Sequence, residues 1–444
     1  MYSFSPKLKL VSIILLVAGL VLFAGGYFLN SSYDQPAVEQ MMEQVAAKGI
    51  DAPSHSSEVA LENKDHAAHV EHAMHQVHNQ PLASMHLVAA FFFGLACCVL
   101  FFYAIQHVAH AGWSIIVTRV MEGIAYFIPF AGVVLIIIML LNVMHYGHLF
   151  HWMDPTLVDP DHANFDVIIY EKSKYLNTPF YAVRTFLFVG LATFFAWKLR
   201  TLSKKMDETK SREVYKSMYT WNVLYIVFFG FASAAWAWDW LMSIDSHWYS
   251  TMYIWYSMVS TLTSGIAAII LISVYLKKKG ALPEFNDNHL HDLAKYLFAT
   301  SMLWTYTWFA QYMLYWYANV PEEANYFFGR FEHYEASYLP MLIPNFLIPL
   351  AVMVSSSIKR NYKVVVIMAI IVILGHIWDF FNMVMPGTVG PYWQTASNLL
   401  LVLGSVLFFV GLFIYVVMNK MSKLKLIPEG NPFVHESKIF EYPF

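Results

Sequence analysis

The chain alternates long apolar runs with shorter polar stretches. A helix needs about 20 apolar residues to cross a hydrocarbon core about 30 Å thick. Ten segments meet that length: 8–29, 82–106, 119–142, 179–199, 219–241, 252–276, 294–318, 337–357, 363–385 and 393–418. The first follows Lys7 and Lys9 as a signal peptide would. It is long for one and no A-x-A cleavage site follows, so it is expected to stay as an anchor. The pattern predicts an all-α integral membrane protein with about ten transmembrane helices.

Three polar segments on one side exceed turn length, 30–81, 143–178 and 319–336. On the other side, 200–218 is charged and expected to be partly helical. The tail "KLKLIPEGNPFVHESKIFEYPF" is expected to be extended, because prolines and a glycine interrupt any helix. A faint repeat links "WDW" at 238–240, closing the fifth span, to "WDF" at 378–380 in the ninth. Four helices separate them, and a four-helix duplication preserves direction. Spans 2–5 and 6–9 then form two four-helix bundles flanked by spans 1 and 10. The divisions are an anchor (1–29), a histidine-rich outer segment (30–81), bundles at 82–241 and 242–385, and a last span with its tail (386–444).

Composition agrees. The 444 residues are 58% hydrophobic and 13% charged, against about 25% charged in soluble domains. A net charge of −3 gives no pointer to nucleic acid. Cys97 and Cys98 are adjacent, and neither CxxC nor CxxCH occurs. No disulfide framework, zinc finger or covalently attached haem is therefore expected. The basic residues cluster at Lys198–Lys216, Lys277–Lys279 and Lys359–Lys363. By the positive-inside rule both termini are expected in the cytoplasm.

Several polar residues exceed what insertion requires. Trp236, Asp239 and Ser243 share a helix face, with Asp245 and His247 in the following turn. His376 and Asp379 are spaced i, i+3. His145 and His148 end the third span, with His151 beyond them, and Arg184 opens the fourth. One reading makes these headgroup-level residues in an aromatic belt. The other makes them the lining of a cavity, because ionisable groups within a span usually face a bundle interior. On that reading Asp239 and Asp379 each turn into their own bundle, where His376, Ser243 or water satisfies them. At the inner ends, Arg119 and Glu122 are one turn apart with Tyr126 a further turn on, and Asp292 and Lys295 repeat the spacing. These are intrahelical ion pairs, or Glu122 is a point of proton entry.

The outer "HAAHVEHAMHQVH" places His66, His69, His72, His75 and His78 at intervals of three, which rotates around a helix. A solvated docking loop suits it better than a metal site. A b-type haem needs facing histidines deep in the bilayer, and His376 is the one histidine read as lying well inside a span. Pro344 and Pro349 kink the eighth span and Pro129 interrupts the third. The glycine- and proline-rich unwinding of transporters is not evident.

The 1 + 4 + 4 + 1 arrangement, the run "AWAWDWLMSIDSHWYSTMYIWY", the histidine-rich segment after the first span and the loop "HYGHLFHWMDP" together resemble the NrfD/polysulfide-reductase type of membrane subunit. Within that type they are similar to the ActF-type subunits of bacterial alternative complex III, a quinol:cytochrome c oxidoreductase. The resemblance spans essentially the whole chain, though no short motif is diagnostic alone. It implies a bacterial inner-membrane assembly with multihaem cytochrome c subunits, an iron–sulfur subunit and a sister NrfD-like subunit, with a cytochrome c or a terminal oxidase as electron acceptor. Menaquinol would supply the electrons. The chain has no haem or cluster motif, so haem and iron–sulfur centres would belong to partners. The sister subunit would be the usual place of quinol oxidation. The residues expected to line a quinone-type cavity or proton path are Asp239, Asp379, His376, Ser243, Asp245, His247, Arg184, His145, Glu122 and Tyr126. The alternatives are a structural pseudo-copy with no site of its own and a stand-alone secondary transporter.

Overall fold

The computed structural model describes residues 2–47, 64–162 and 164–441, with backbone alone for 64–68, 321–323 and 325. Among the described residues every regular element is helical. The first span, α1 (Pro6–Ser31), leads to α2 (Gln35–Ala47) and α3 (Lys64–His78) on the side of the 30–81 segment, here called the outer side. The first bundle opens with α4 (Gln80–Val108) and a span divided into α5 (Thr118–Ala125) and α6 (Ile128–Val143). After the short outer α7 (Val167–Lys172), it closes with α8 (Thr178–Thr209) and α9 (Arg212–Trp240). The second bundle begins with α10 (Met252–Lys278) and α11 (Asp287–Ala318). Outer α12 (Pro321–Glu332) then precedes a divided span made of α13 (Glu335–Tyr338), a π turn (Ile343–Leu347) and α14 (Ile348–Met353). The second bundle ends with α15 (Tyr362–Thr388); α16 (Ala396–Met421) is the last span and α17 (Val434–Lys438) lies in the tail.

The protein is thus an all-α membrane protein with about ten spans. Nine stretches among the described residues are long and apolar enough to cross a membrane. The tenth, α11, is 32 residues long, but its Trp and Tyr residues lower its mean hydropathy. Boundaries follow local chemistry. Proline occupies the first turn of α1, α4, α6 and α8, where its missing N–H costs nothing. Side chains of Asn177, Ser211, Asn286, Asn361 and Thr395 cap α8, α9, α11, α15 and α16. The charged inner segment 200–218 is helical up to a break at Lys210, whose φ of 50° ends α8.

Helix α4 is the common axis. It is buried along almost its whole length, packing on α6 and α9 in its own bundle and on α10, α15 and α16 beyond it. Helix α10 plays the matching part for α11 and α15. Helices α1 and α16 form a pair of their own. Their backbones meet at glycine: a Cβ on Gly19 would stand 2.3 Å from the Phe408 nitrogen, and one on Gly404 would stand 2.5 Å from that of Phe23. Small residues that admit such close approach are a usual basis of helix association in lipid.

Three expectations change. The eighth span is broken, not merely kinked, while the third is interrupted at Pro129 as expected. The prolines at 129, 344 and 349 lack the N–H a continuous helix needs. The π turn is held by Asn345 Nδ2, which donates to the Gly375 carbonyl at 3.0 Å. The histidine-rich segment from 64 onward is helix α3, with Val70, Ala73 and Val77 buried, rather than a solvated loop. The His66 side chain lies outside the described residues. The tail is folded, not extended. Ser437 Oγ donates to the Trp113 carbonyl at 2.7 Å and accepts from the Ile116 N–H at 3.1 Å, and the Gly430 N–H donates to Asp207 at 3.0 Å.

Candidate functional site

Asp379 lies on α15 well before its end at Thr388, and it is fully buried, as is His376. Its carboxylate accepts from three donors on neighbouring helices: Tyr256 Oη and Ser260 Oγ (2.8 Å) of α10, and Trp304 Nε1 (2.9 Å) of α11. Three donors and no acceptor suit an ionised carboxylate. Ser260 has one hydroxyl proton and gives it to Asp379, so His376 Nδ1, 3.0 Å from that oxygen, must carry the proton between them. The result is a chain, His376 Nδ1–H to Ser260 O–H to Asp379. His376 Nε2, at its far end, has no hydrogen-bond partner among the described residues. His376 and Asp379 therefore communicate through Ser260, their direct separation of 3.7 Å being too long for a hydrogen bond.

Asp239 is solved differently. Arg184 of α8 donates to it twice, Nε to Oδ2 at 2.6 Å and Nη2 to Oδ1 at 2.9 Å. The guanidinium also lies 4.0 Å from the Tyr175 ring centre and 4.2 Å from that of Phe180. Neither His376 nor the Ser243 hydroxyl reaches the Asp239 carboxylate; Ser243 Oγ donates to the Asp239 backbone carbonyl at 2.6 Å. The two aspartates of the "WDW" and "WDF" tripeptides are both buried, yet Asp239 sits in the last turn of its helix and is locked by a cation.

The outer rim is a set of clasps between loops. Asp245 pairs with Arg330 Nη2 at 3.1 Å, and Arg330 also donates to the carbonyls of Tyr326, Asn382 and Met383. Tyr326 is stacked by Trp248 at 3.9 Å and by the Arg330 guanidinium at 3.4 Å. Two groups that close must lie on opposite faces of the ring. His247 Nε2 meets Asp166 at 2.6 Å, and Asp166 also caps α7 by accepting from the N–H groups of Ile168 and Ile169. Burial pushes the Asp166 carboxyl up, but these hydrogen bonds outweigh it and hold it below its usual value. His145, in a left-handed turn (φ 58°), edges a polar cavity of about 500 Å³ with His72, His75, His148, His151 and Asp154. The His75 and His148 rings are 4.0 Å apart. Burial and the neighbouring His75 push His148 below its usual pKa. Trp236, Trp240 and Trp248 are buried, so they form packing and not a lipid-facing belt.

At the inner end Glu122 is more than half of an intrahelical pair. It accepts from Arg119 Nη1 (2.8 Å) and Ser203 Oγ (2.5 Å), and Arg200 Nη1 stands 3.7 Å away. Arg119 also binds Asp207, which in turn holds the tail at Gly430. Tyr126 is half-exposed at the break between α5 and α6, under Lys420 Nζ at 3.8 Å. Asp292 and Lys295 form the simple pair their spacing suggests, at 2.6 Å.

Sequence reasoning missed Tyr256, Ser260 and Trp304, because partners from two other helices carry no local signal. It also missed His86, a second buried histidine within a span, whose Nε2 is 2.6 Å from the Trp240 carbonyl. A histidine inside an otherwise apolar run was the available signal. Among the described residues no group of three or more His, Cys, Asp or Glu is arranged to hold a metal ion. No family model matches the sequence and no curated relative is found.

Proposed function

We propose that this chain is an NrfD-type, ActF-like membrane subunit of a respiratory quinol:cytochrome c oxidoreductase, placed in a bacterial inner membrane with both termini cytoplasmic. Its part there is scaffold and proton path. Multihaem cytochrome c, iron–sulfur and sister NrfD-like subunits carry the redox centres and the quinol chemistry, with a terminal oxidase downstream. The reading is supported by the sequence resemblance and, above all, by one observation: the fully buried His376–Ser260–Asp379 chain. A carboxylate in a bilayer interior is costly, and one wired to a histidine through a single hydroxyl is an arrangement for exchanging protons.

A quinone does not fit beside this chain. The Asp379 oxygens are committed to three donors, and neither Asp379 nor His376 lines any of the cavities described. The outer cavity at Asp245 and Arg330 holds about 150 Å³, below the roughly 300 Å³ at which ligand sites begin. The roomier outer cavity is walled largely by polar side chains, among them five histidines. Following the resemblance, we assign quinol oxidation to the sister subunit. The breaks in the third and eighth spans give a transporter reading its one foothold, since broken helices line many transport sites.

The test is Asp379→Asn in the assembled complex, with turnover and proton release measured together. Loss of proton coupling with intact assembly is expected. Unchanged turnover and proton release would leave the scaffold role alone.

A further inference from the structure

Arg200 of α8 is 9% exposed, and neither Nη1 nor Nη2 has a hydrogen-bond partner among the described residues. Burying charged donors without partners is expensive. Glu122 Oε2 forms an ion pair with Nη1 at 3.7 Å, too far for a hydrogen bond, so it leaves both Nη groups without an acceptor. The Arg200 side chain borders a cavity of about 350 Å³ between α5, α6, α8 and α16, with Tyr126, Trp197, Lys204 and Lys420 around it. Glu122 and Asp207 offset Arg119 and Arg200, which leaves Lys204 and Lys420 as surplus positive charge. The cavity therefore asks for an anion with several acceptor oxygens.

Its surroundings say where that anion comes from. Trp197 at the cavity wall is 60% exposed, and on α6 Phe130, Val133 and Ile137 continue as an exposed apolar stripe at helical spacing. In a membrane protein such a stripe faces acyl chains. Basic pockets between transmembrane helices recognise acidic headgroups.

We propose that this cavity is a binding site for one anionic phospholipid, its phosphodiester held by Arg200, Lys204 and Lys420 and its acyl chains lying along α6 and α8. The Arg200 charge and the two lysines together supply the preference for a net negative headgroup. The site stands whether or not the chain belongs to a redox complex.

Native mass spectrometry of the full chain in mild detergent tests it, with phosphatidylglycerol and phosphatidylethanolamine of identical acyl chains as probes. One phosphatidylglycerol is expected to bind preferentially. Each of Lys204→Gln and Lys420→Gln should weaken it about fivefold, and the double variant about 25-fold. Arg200→Gln should weaken it at least as much as one lysine. Lys278→Gln with Lys279→Gln, a charge-matched change at another inner loop, should leave it within about twofold. Equal binding of the two lipids would overturn the proposal, as would a double Lys204/Lys420 variant that binds like wild type. Displacement of the lipid by millimolar inorganic phosphate would overturn it in favour of a soluble-anion site. If Arg200→Gln fails to fold, the double lysine variant decides alone.

Discussion

Arg184 and Asp239 face each other across α8 and α9 with the Nε–Nη2 edge of the guanidinium engaged bidentately, at 2.6 and 2.9 Å. Their side chains are 11% and 2% exposed. Asp239→Asn therefore strands a buried cation, a change that costs about 3–5 kcal/mol. Thermal unfolding in detergent should show a large loss for this variant. Arg184→Gln combined with Asp239→Asn should be milder than the single change, because no unpaired charge is left. A wild-type melting curve for Asp239→Asn would contradict the locking role.

Asp379 should behave in the opposite way. Asparagine keeps an oxygen for Ser260 and Trp304, and its amide can donate to Tyr256, whose hydroxyl can turn to accept. Folding and assembly of Asp379→Asn should match wild type, while proton-coupled turnover falls by about a hundredfold, the lower end of what a positioned acid–base group contributes. Ser260→Ala, which cuts the link to His376, should lower turnover in the same direction.

The contrast marks how far the sequence reaches. Apolar runs of membrane length made nearly every span legible, since hydrocarbon thickness leaves few other solutions. The divided spans were foreshadowed by Pro129 and Pro344. The partners of the two aspartates were not legible. Arg184 lies 55 positions before Asp239, and Tyr256 lies 123 before Asp379, so only helix packing decides which side chains meet. The same holds for the tail, whose prolines suggested an extended strand although Ser437 and Gly430 dock it onto the inner loops.

The Asp166–His247 clasp predicts a pH dependence. The folded carboxyl lies below its ordinary value of 3.8. Its stabilisation is therefore present above that value and lost as pH falls through the folded pKa. Hydrogen exchange across 166–172 should be faster in Asp166→Asn than in wild type at about pH 6, and the difference should shrink as pH falls below the ordinary carboxyl range and through the folded pKa. A difference that does not shrink on acidification would refute the assignment. Asp166→Ala removes the helix cap as well and should cost about 1 kcal/mol more.

Close glycine contact makes α1 and α16 a unit. Gly404→Leu places a side chain where even a Cβ would lie 2.5 Å from the Phe23 nitrogen. The pair should separate, with α1 becoming accessible to a cysteine-directed label at Ser12→Cys, a near-isosteric change at a buried position of the same helix. Unaltered labelling would show that the seam does not hold the helices.

The central claim is that the chain works inside a haem-bearing respiratory assembly. An optical spectrum of the tagged, full-length protein purified from its own membranes in mild detergent tests this most directly. The account predicts c-type haem absorbance co-eluting in fixed proportion, with quinol:cytochrome c activity in the same fraction and none of the haem bound to this chain. Elution of the chain alone, free of haem and of other subunits, would contradict it.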